Sequence, residues 1–371
     1  MLSSRGVVVP LNSRDLPTDE PLGLIAADGL LVPDPALTKP SDATLLELHR
    51  QIVLGRRFDT EATALAKQGR LAVYPSARGQ EAIEIGAIAA LREQEWLFPT
   101  YRDSMAVVAR GVDPVEVLTL FRGDWHSGYN PYAHRVAPQC TPLATNTLHA
   151  VGLAHAAQFK GEDTVAVVML GDGATSEGDT HEALNFAAVW QSPVVFLIQN
   201  NGYAISVPLA KQTAARSLAH KGIGYGIPSM LIDGNDPAAV YSAVEAAVTT
   251  AARGGGPTLI EAVTYRMEAH TNADDATRYR DADDVALWLT RDPLARLRRY
   301  LGDSGLLTEN DVAVLEAEAG AQAKDLRQRI MVDTVLDPED LFRHVYAEPT
   351  ASLLRQSAHL QSELAAFGDN P

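Results

Sequence analysis

The chain has 371 residues, 46% hydrophobic and 21% charged, with a formal net charge of −16 and one cysteine. That length holds one large α/β domain or two smaller ones, and the acidity speaks against a nucleic-acid binder, which carries a basic footprint. A lone thiol, Cys140, excludes an internal disulfide and a cysteine-rich zinc site, and no apolar run approaches the ~18 residues of a membrane span. The apolar stretch at the start is too short for a secretory leader. Asp15, Asp19 and Glu20 sit badly with a transit peptide, so a cytoplasmic protein is expected.

Residues 1–40 are rich in Pro, Asp and Leu without a steady period and read as an extended arm. From Ser41 the pattern turns helical, with Leu45, Leu46, Leu48, Ile52 and Val53 at three- and four-residue spacing. Further helices are predicted over Glu81–Leu91 and after Asp103 and Asp113. Ala144–Phe159 reads as an Ala-rich buried helix and Thr164–Leu170 as a β-branched strand. A Gly-rich turn, a helix over about 179–190 and a strand over Val194–Gln199 follow. Met230–Asp233 is a short strand, Pro237–Ala252 a helix and Thr258–Thr264 a strand. Strands alternating with helices imply an α/β fold with a mostly parallel sheet covered by helices on both faces, and in such sheets ligands sit beyond the carboxyl ends of the strands. Residues 268–284 are polar without apolar periodicity and read as a loop ordered by a ligand or partner. About 306–366 reads as helical. The expected division is an arm over 1–40, an α/β domain over 41–345 and a helical tail over 346–371.

The informative stretch is Gly171-Asp172-Gly173-Ala-Thr-Ser-Glu177-Gly-Asp179, followed about thirty residues on by Asn200-Asn201-Gly202-Tyr203. Each half ends a predicted strand, so neighbouring parallel strands bring both to one crevice. Two glycines at a strand end let backbone N–H groups approach an anion, and the helix that follows adds a favourable partial charge. Asp172 would repel a bare phosphate. A divalent cation between them removes the conflict, since magnesium and calcium take a carboxylate, an amide oxygen and a carbonyl, with phosphates completing the shell. A dinucleotide fingerprint fails here for want of its third glycine and of an acidic residue at the next strand end. A serine nucleophile elbow fails on spacing. Taken singly, either half is what turn residues commonly look like.

The full run Gly171-Asp-Gly-Ala-Thr-Ser-Glu-Gly-Asp-Thr-His-Glu-Ala-Leu-Asn185, then Gln199-Asn-Asn-Gly-Tyr-Ala-Ile-Ser206, resembles the thiamin-diphosphate motif. It is similar to the α subunits of branched-chain 2-oxo acid dehydrogenases and, less closely, of pyruvate dehydrogenases. The resemblance covers roughly residues 40–345 and implies a thiamin-diphosphate-binding fold. It implies that Asp172, the Asn201 side chain and the Tyr203 carbonyl bind magnesium, and that Gly173 and Ala174 approach the diphosphate. Tyr101 and Arg102 match a family pair, Arg102 meeting the diphosphate by charge-assisted bonds. Thr141-Pro142-Leu143 match a segment whose apolar residue wedges the cofactor into a bent shape. The same loop holds a monovalent cation in relatives; Thr145 is kept here and Asn146 replaces a Gln. Gln199 stands where branched-chain relatives often carry an Arg that meets the diphosphate, so one charge is missing. His270, in Tyr265-Arg-Met-Glu-Ala-His270, matches a residue that contacts the diphosphate region and is implicated catalytically in transfer to lipoate. His126, His134, His149, His155 and His181 carry weaker claims.

The activity the resemblance implies is oxidative decarboxylation of a branched-chain 2-oxo acid, with acyl transfer to a lipoyl-bearing acyltransferase. The Glu that activates the cofactor lies on a β subunit in two-chain members. This chain is therefore expected to act within an α2β2 heterotetramer. A pyruvate or acetoin dehydrogenase α subunit, or a non-catalytic α-like scaffold, are the alternatives.

Overall fold

The computed structural model describes residues 16–123, 128–332 and 337–367. Two compact units divide the chain, one up to Arg327 and one from Gln328. The first unit opens with residues that lie along their own domain. The Leu22 amide donates to Leu231 O at 3.0 Å, and the Asp233 amide donates back to Leu22 O at 2.8 Å. The amides of Leu24 and Ile25 both donate to Asp236 Oδ2, at 2.6 and 2.7 Å. Both side chains are buried, so this part of the expected arm packs on its own chain. Residues 1–15 lie outside the described residues.

Helix α1 spans Asp42–Lys67, capped by the Ser41 hydroxyl accepting from the Thr44 amide. Its buried stripe includes Leu45, Leu48 and Ile52, which follow the spacing read from the sequence. Then come α2 (Glu81–Ala89), β1 (Trp96–Phe98), α3 (Ser104–Ala109), α4 (Pro114–Arg122), α5 (Thr145–Lys160), β2 (Ala166–Gly171), α6 (Gly178–Trp190) and β3 (Val194–Asn200). A two-stranded hairpin follows, β4 (Tyr203–Ala204) with β5 (Val207–Pro208). After it come β6 (Ser229–Asp233), α7 (Pro237–Ala252), β7 (Thr258–Val263), α8 (Ala282–Leu289), α9 (Pro293–Asp303) and α10 (Glu309–Ile330).

Five strands form one parallel sheet in the order β1-β2-β3-β7-β6. The register pairs Gly171 with Gln199, Asn200 with Val263, and Val263 with Asp233. The carboxyl ends of β2, β3, β7 and β6 are thus level, and everything that follows β2 and β3 emerges at one edge. Ala166, Val168, Leu170, Phe196, Ile198 and Leu259 join side chains of α5 and α6 in one core. The alternate residues Val167, Met169, Val195, Leu197 and Ile260 are equally buried. They point to the other face of the sheet, and α7 packs on β3, β6 and β7. A sheet covered on both faces explains why these strands read as continuous apolar runs.

The sequence reading missed several elements. Strand β1 has three residues, too few for any alternation to show. The hairpin β4–β5 is shorter still. The loop of residues 268–284 contains a helical turn at Ala276–Arg278 and the start of α8. It is tied internally: Arg280 donates to the carbonyls of Arg266 (2.5 Å), Met267 (3.0 Å) and Glu268 (3.1 Å). In the second unit, helix α11 spans Ala351–Phe367, and Glu339 accepts from Ser357 Oγ and Gln361 Nε2. Residues 333–336 and 368–371 lie outside the described residues.

Candidate functional site

A cavity of about 210 Å³ opens at the carboxyl ends of β2 and β3. Asp172 enters it directly from the end of β2, and Gly173 starts a 3-10 turn over Gly173–Ser176 that leads into α6. Asn201 and Tyr203 enter from the end of β3. Tyr101, Arg102, Leu143, Ala174, Gln199 and His270 complete the set of expected residues on its wall, and Asn146 lines it too. Thr141 is exposed in the loop between the lining residues Cys140 and Pro142, and it does not line the cavity.

The two glycines of the motif differ in what they allow. A Cβ on Gly171 meets no atom within 4 Å, so the backbone there borders open space. A Cβ on Gly173 would meet Ala204 Cβ at 2.7 Å. Gly173 is therefore required for the β4 hairpin to close down on the motif. Two non-glycine residues on the wall hold left-handed backbone, Ala144 at φ 63° and Ile205 at φ 54°. For a β-branched residue this conformation is a genuine outlier, and such strain gathers where a ligand is clamped.

One side of the cavity offers oxygen atoms. Asp172 is 1% exposed, and its Oδ2 accepts from Gln212 Nε2 at 2.6 Å. Burial pushes its carboxyl above the usual range, and the Gln212 bond only partly offsets this. Asn201 donates through Nδ2 to Gln80 Oε1 at 2.8 Å, and its Oδ1 accepts from the Tyr203 amide at 3.2 Å. Among the described residues no three His, Cys, Asp or Glu side chains gather around a metal-sized site. A cation held here has one carboxylate, so phosphate and water must complete its shell.

The other side is positive. Arg102, 4% exposed, donates through Nη1 to Ser76 O at 2.7 Å. Its Nη2 meets His270 Nδ1 at 3.1 Å and His270 O at 3.2 Å. Arg266, 1% exposed, donates to Tyr203 O at 3.4 Å, Ile205 O at 2.7 Å and the Tyr279 hydroxyl at 2.9 Å. The His270 amide donates to Asp274 Oδ2 at 2.8 Å, and the Tyr279 hydroxyl donates to the same oxygen. Burial, then the charges of Arg102 and Arg266, push the His270 imidazole down to about 4. With the Arg102 guanidinium donating to Nδ1, the neutral ring carries its proton on Nε2 and can donate from there.

A magnesium–diphosphate pair fits this arrangement. Among the described residues, Gln212 Oε1 beside Asp172 is buried without a hydrogen-bond partner, as is Arg266 Nε. An unpaired acceptor near the carboxylate suits a hydrated cation, and an unpaired guanidinium donor suits an anion. Asn146 donates through Nδ2 to the carbonyls of Met169 (2.9 Å), Pro99 (3.3 Å) and Phe98 (3.4 Å), and Thr145 does not line the cavity.

Gln80, Asp103, Gln212 and Arg266 were not singled out from the sequence. Arg266 had one available signal: with Glu261 it is one of two charges in the otherwise uncharged segment Thr258–Met267, where only burial with partners makes sense. Gln199 is 2% exposed; it donates to Asp103 Oδ1 and accepts from Gln80. Of the other histidines, His155 stacks on Trp190 and His181 bonds the Tyr225 hydroxyl. His126 lies outside the described residues.

Residues 49–338 match the family model described as Dehydrogenase E1 component. The chain is 47% identical over 352 residues to the 3-methyl-2-oxobutanoate dehydrogenase subunit alpha of Mycobacterium tuberculosis, covering 93% of this chain and 95% of that one. It is 36% identical over 331 residues to the pyruvate dehydrogenase E1 component subunit alpha of Acholeplasma laidlawii, covering 89% and 96%. To the subunit of the same name from Staphylococcus aureus it is 39% identical over 293 residues, covering 78% and 79%. The chain belongs to the dehydrogenase E1 component family, the thiamin-diphosphate-dependent part of 2-oxo acid dehydrogenases, and stands with its α subunits.

Proposed function

We propose that the chain is the α subunit of a branched-chain 2-oxo acid dehydrogenase and holds the magnesium–diphosphate end of thiamin diphosphate. The observation that carries this reading is the meeting of Asp172, Asn201 and Tyr203 with Arg102, Arg266 and His270 around one cavity. Asp172, the Asn201 amide oxygen and the Tyr203 carbonyl would hold the cation, while Gly173, Ala174 and Arg102 would face the diphosphate. Thiamin diphosphate, when bound, supplies the electron sink that lets a 2-oxo acid lose carbon dioxide.

The chain's own part is positioning and electrostatics. The guanidiniums of Arg102 and Arg266 set a fixed positive wall, so no reorganisation is needed when the anion arrives. Neutral His270, held at its amide by Asp274 and at its ring by Arg102, can hold or pass a proton at the mouth of the site. Leu143 is 43% exposed and Ile205 57% exposed at the rim. Apolar side chains left open beside a ligand cavity support a partner that closes it, and a β subunit is the proposed partner, in an α2β2 assembly. A lipoyl group on an acyltransferase is the proposed acyl acceptor.

The 47% identity over 93% of the chain supports a branched-chain substrate. The test is turnover by the assembled α and β chains. Turnover number over Michaelis constant is expected to be highest for 3-methyl-2-oxobutanoate, with pyruvate and acetoin well behind. Preference for pyruvate or acetoin would reassign the substrate. Full turnover by this chain without its partner would refute the shared site.

A further inference from the structure

Behind Asn201 runs a buried chain of side-chain amides that ends on a carboxylate. Asn201 Nδ2 donates to Gln80 Oε1 at 2.8 Å. Gln80 Nε2 donates to Gln199 Oε1 at 2.8 Å. Gln199 Nε2 donates to Asp103 Oδ1 at 2.5 Å. The other oxygen of Asp103 accepts from the backbone amide of Thr100 at 2.6 Å. All four side chains are 6% exposed or less, so water does not compete for these bonds.

The direction of this chain is set at both ends, by the Tyr203 amide that donates to Asn201 Oδ1 at 3.2 Å and by Asp103 at the far end. A carboxylate offers two acceptors and an amide offers one acceptor and one donor group. With a fixed backbone donor on one oxygen of Asp103 and a carboxylate oxygen facing Gln199, Gln199 must turn its NH2 inward. Gln80 must then present its NH2 to Gln199 and its oxygen to Asn201. Asn201 in turn must give its NH2 to Gln80, which leaves Oδ1 on the cavity side. We infer that Asp103, Gln199 and Gln80 form a polarity relay that aims the Asn201 amide oxygen, and not its NH2, at the cation. The inference rests on Asn201 being a cation ligand, as proposed above. It also gives Gln199 a role: where an Arg would reach for the anion, this Gln transmits orientation.

The relay makes an unusual prediction about isosteric swaps. In Asp103→Asn the one remaining oxygen must serve the Thr100 amide, so the new NH2 faces Gln199. Every amide downstream is then driven to reverse against the Tyr203 amide, which needs Asn201 Oδ1 as its acceptor; Asn201 either points a donor at the cation or meets Gln80 donor to donor, and its hold on the cation weakens. The affinity of the assembled αβ protein for thiamin diphosphate in the presence of magnesium is expected to fall roughly 10- to 100-fold, as when an outer-shell partner of a metal ligand is lost. The melting temperature without cofactor is expected to change little, because removal of a buried charge offsets the mispaired amide that reversal leaves. In Asp103→Asn with Gln80→Glu the carboxylate is moved two steps along the relay. The carboxylate that Gln80→Glu introduces accepts from Gln199 on one side and from Asn201 on the other, and the Asn201 oxygen again faces the cavity. Affinity is expected to recover to within a few-fold of the parent, although neither changed residue is a proposed cation ligand.

Calorimetric titration of magnesium and thiamin diphosphate into the four proteins, parent, Asp103→Asn, the double variant and Asp172→Ala, decides the matter. Weak binding by the single variant with recovery in the double variant supports the relay. Parent-like binding by Asp103→Asn, or a double variant as weak as the single one, overturns it. Should Asp103→Asn fail to assemble, Gln80→Met cuts the relay in the middle and carries the same expectation of loss; parent-like binding there also overturns it. If Asp172→Ala binds like the parent, the cation reading itself fails and takes the relay with it. If Asp172→Ala loses binding and Asp103→Asn does not, the relay alone fails.

Discussion

Replacing Asp172 with Ala is expected to abolish magnesium-dependent binding of thiamin diphosphate while the fold survives. Asp172 is the one carboxylate among the proposed cation ligands, so its loss should weaken binding by more than the roughly 100-fold that an outer-shell partner can cost. Survival of the fold follows from what the carboxylate does when no cation is present. It has a side-chain bond to Gln212 and sits almost fully buried, and burial raises its pKa. A group whose folded pKa is raised favours the folded state only in its protonated form, and that contribution is lost as pH rises through the folded value. Ionising the buried Asp172 is thus a cost to the empty protein, and Ala removes it. Thermal unfolding of the cofactor-free variant should occur at or above the parental temperature, and added magnesium and cofactor should no longer raise it. A variant stabilised by cofactor as much as the parent would contradict the assignment.

Replacing Arg102 with Ala should have the next largest effect, and Arg102→Lys should restore little of it. The guanidinium ties two loops together, through Ser76 O on one side and the ring and carbonyl of His270 on the other. It also faces the proposed diphosphate. Each charge-assisted bond contributes ~1.5–3 kcal/mol, so losing the anion contact alone implies a loss of roughly tenfold or more in cofactor affinity. Lysine keeps the charge but cannot reach Ser76 and His270 as a planar fork. Both variants should therefore show faster amide exchange across residues 268–280, measured by hydrogen–deuterium exchange, alongside weaker cofactor binding. Parental exchange together with parental affinity in Arg102→Lys would mean that the fork geometry is irrelevant.

Much of this site was legible because its central residues carry local signals. Asp172 and Asn201 each follow a β-branched run, and the helix after Glu177 starts where the turn residues end. The strand boundaries shifted by one or two residues, as for Ala166–Gly171 against the expected Thr164–Leu170. What escaped detection was assembled from a distance. Gln80, Asp103 and Gln212 sit in segments 40 to 121 residues away from the motif residues they touch, and nothing in their own neighbourhoods marks them. The left-handed Ile205 is likewise invisible, since a β-branched residue within Tyr203-Ala-Ile-Ser-Val207 predicts extended backbone. The polar loop at 268–284 read as dependent on a ligand because its order comes from Arg280 and Asp274 bonding backbone atoms of residues 266–270, a pattern without periodicity.

The account stands on one cation shared between two strand ends. The direct measurement is the anomalous scattering of calcium in crystals of the αβ assembly grown with thiamin diphosphate and calcium in place of magnesium. A single peak is expected at about 2.3–2.6 Å from an Asp172 carboxylate oxygen, Asn201 Oδ1 and the Tyr203 carbonyl, beside the diphosphate. A bound cofactor with no peak there, or a cation whose ligands exclude Asp172 and Asn201, would contradict it.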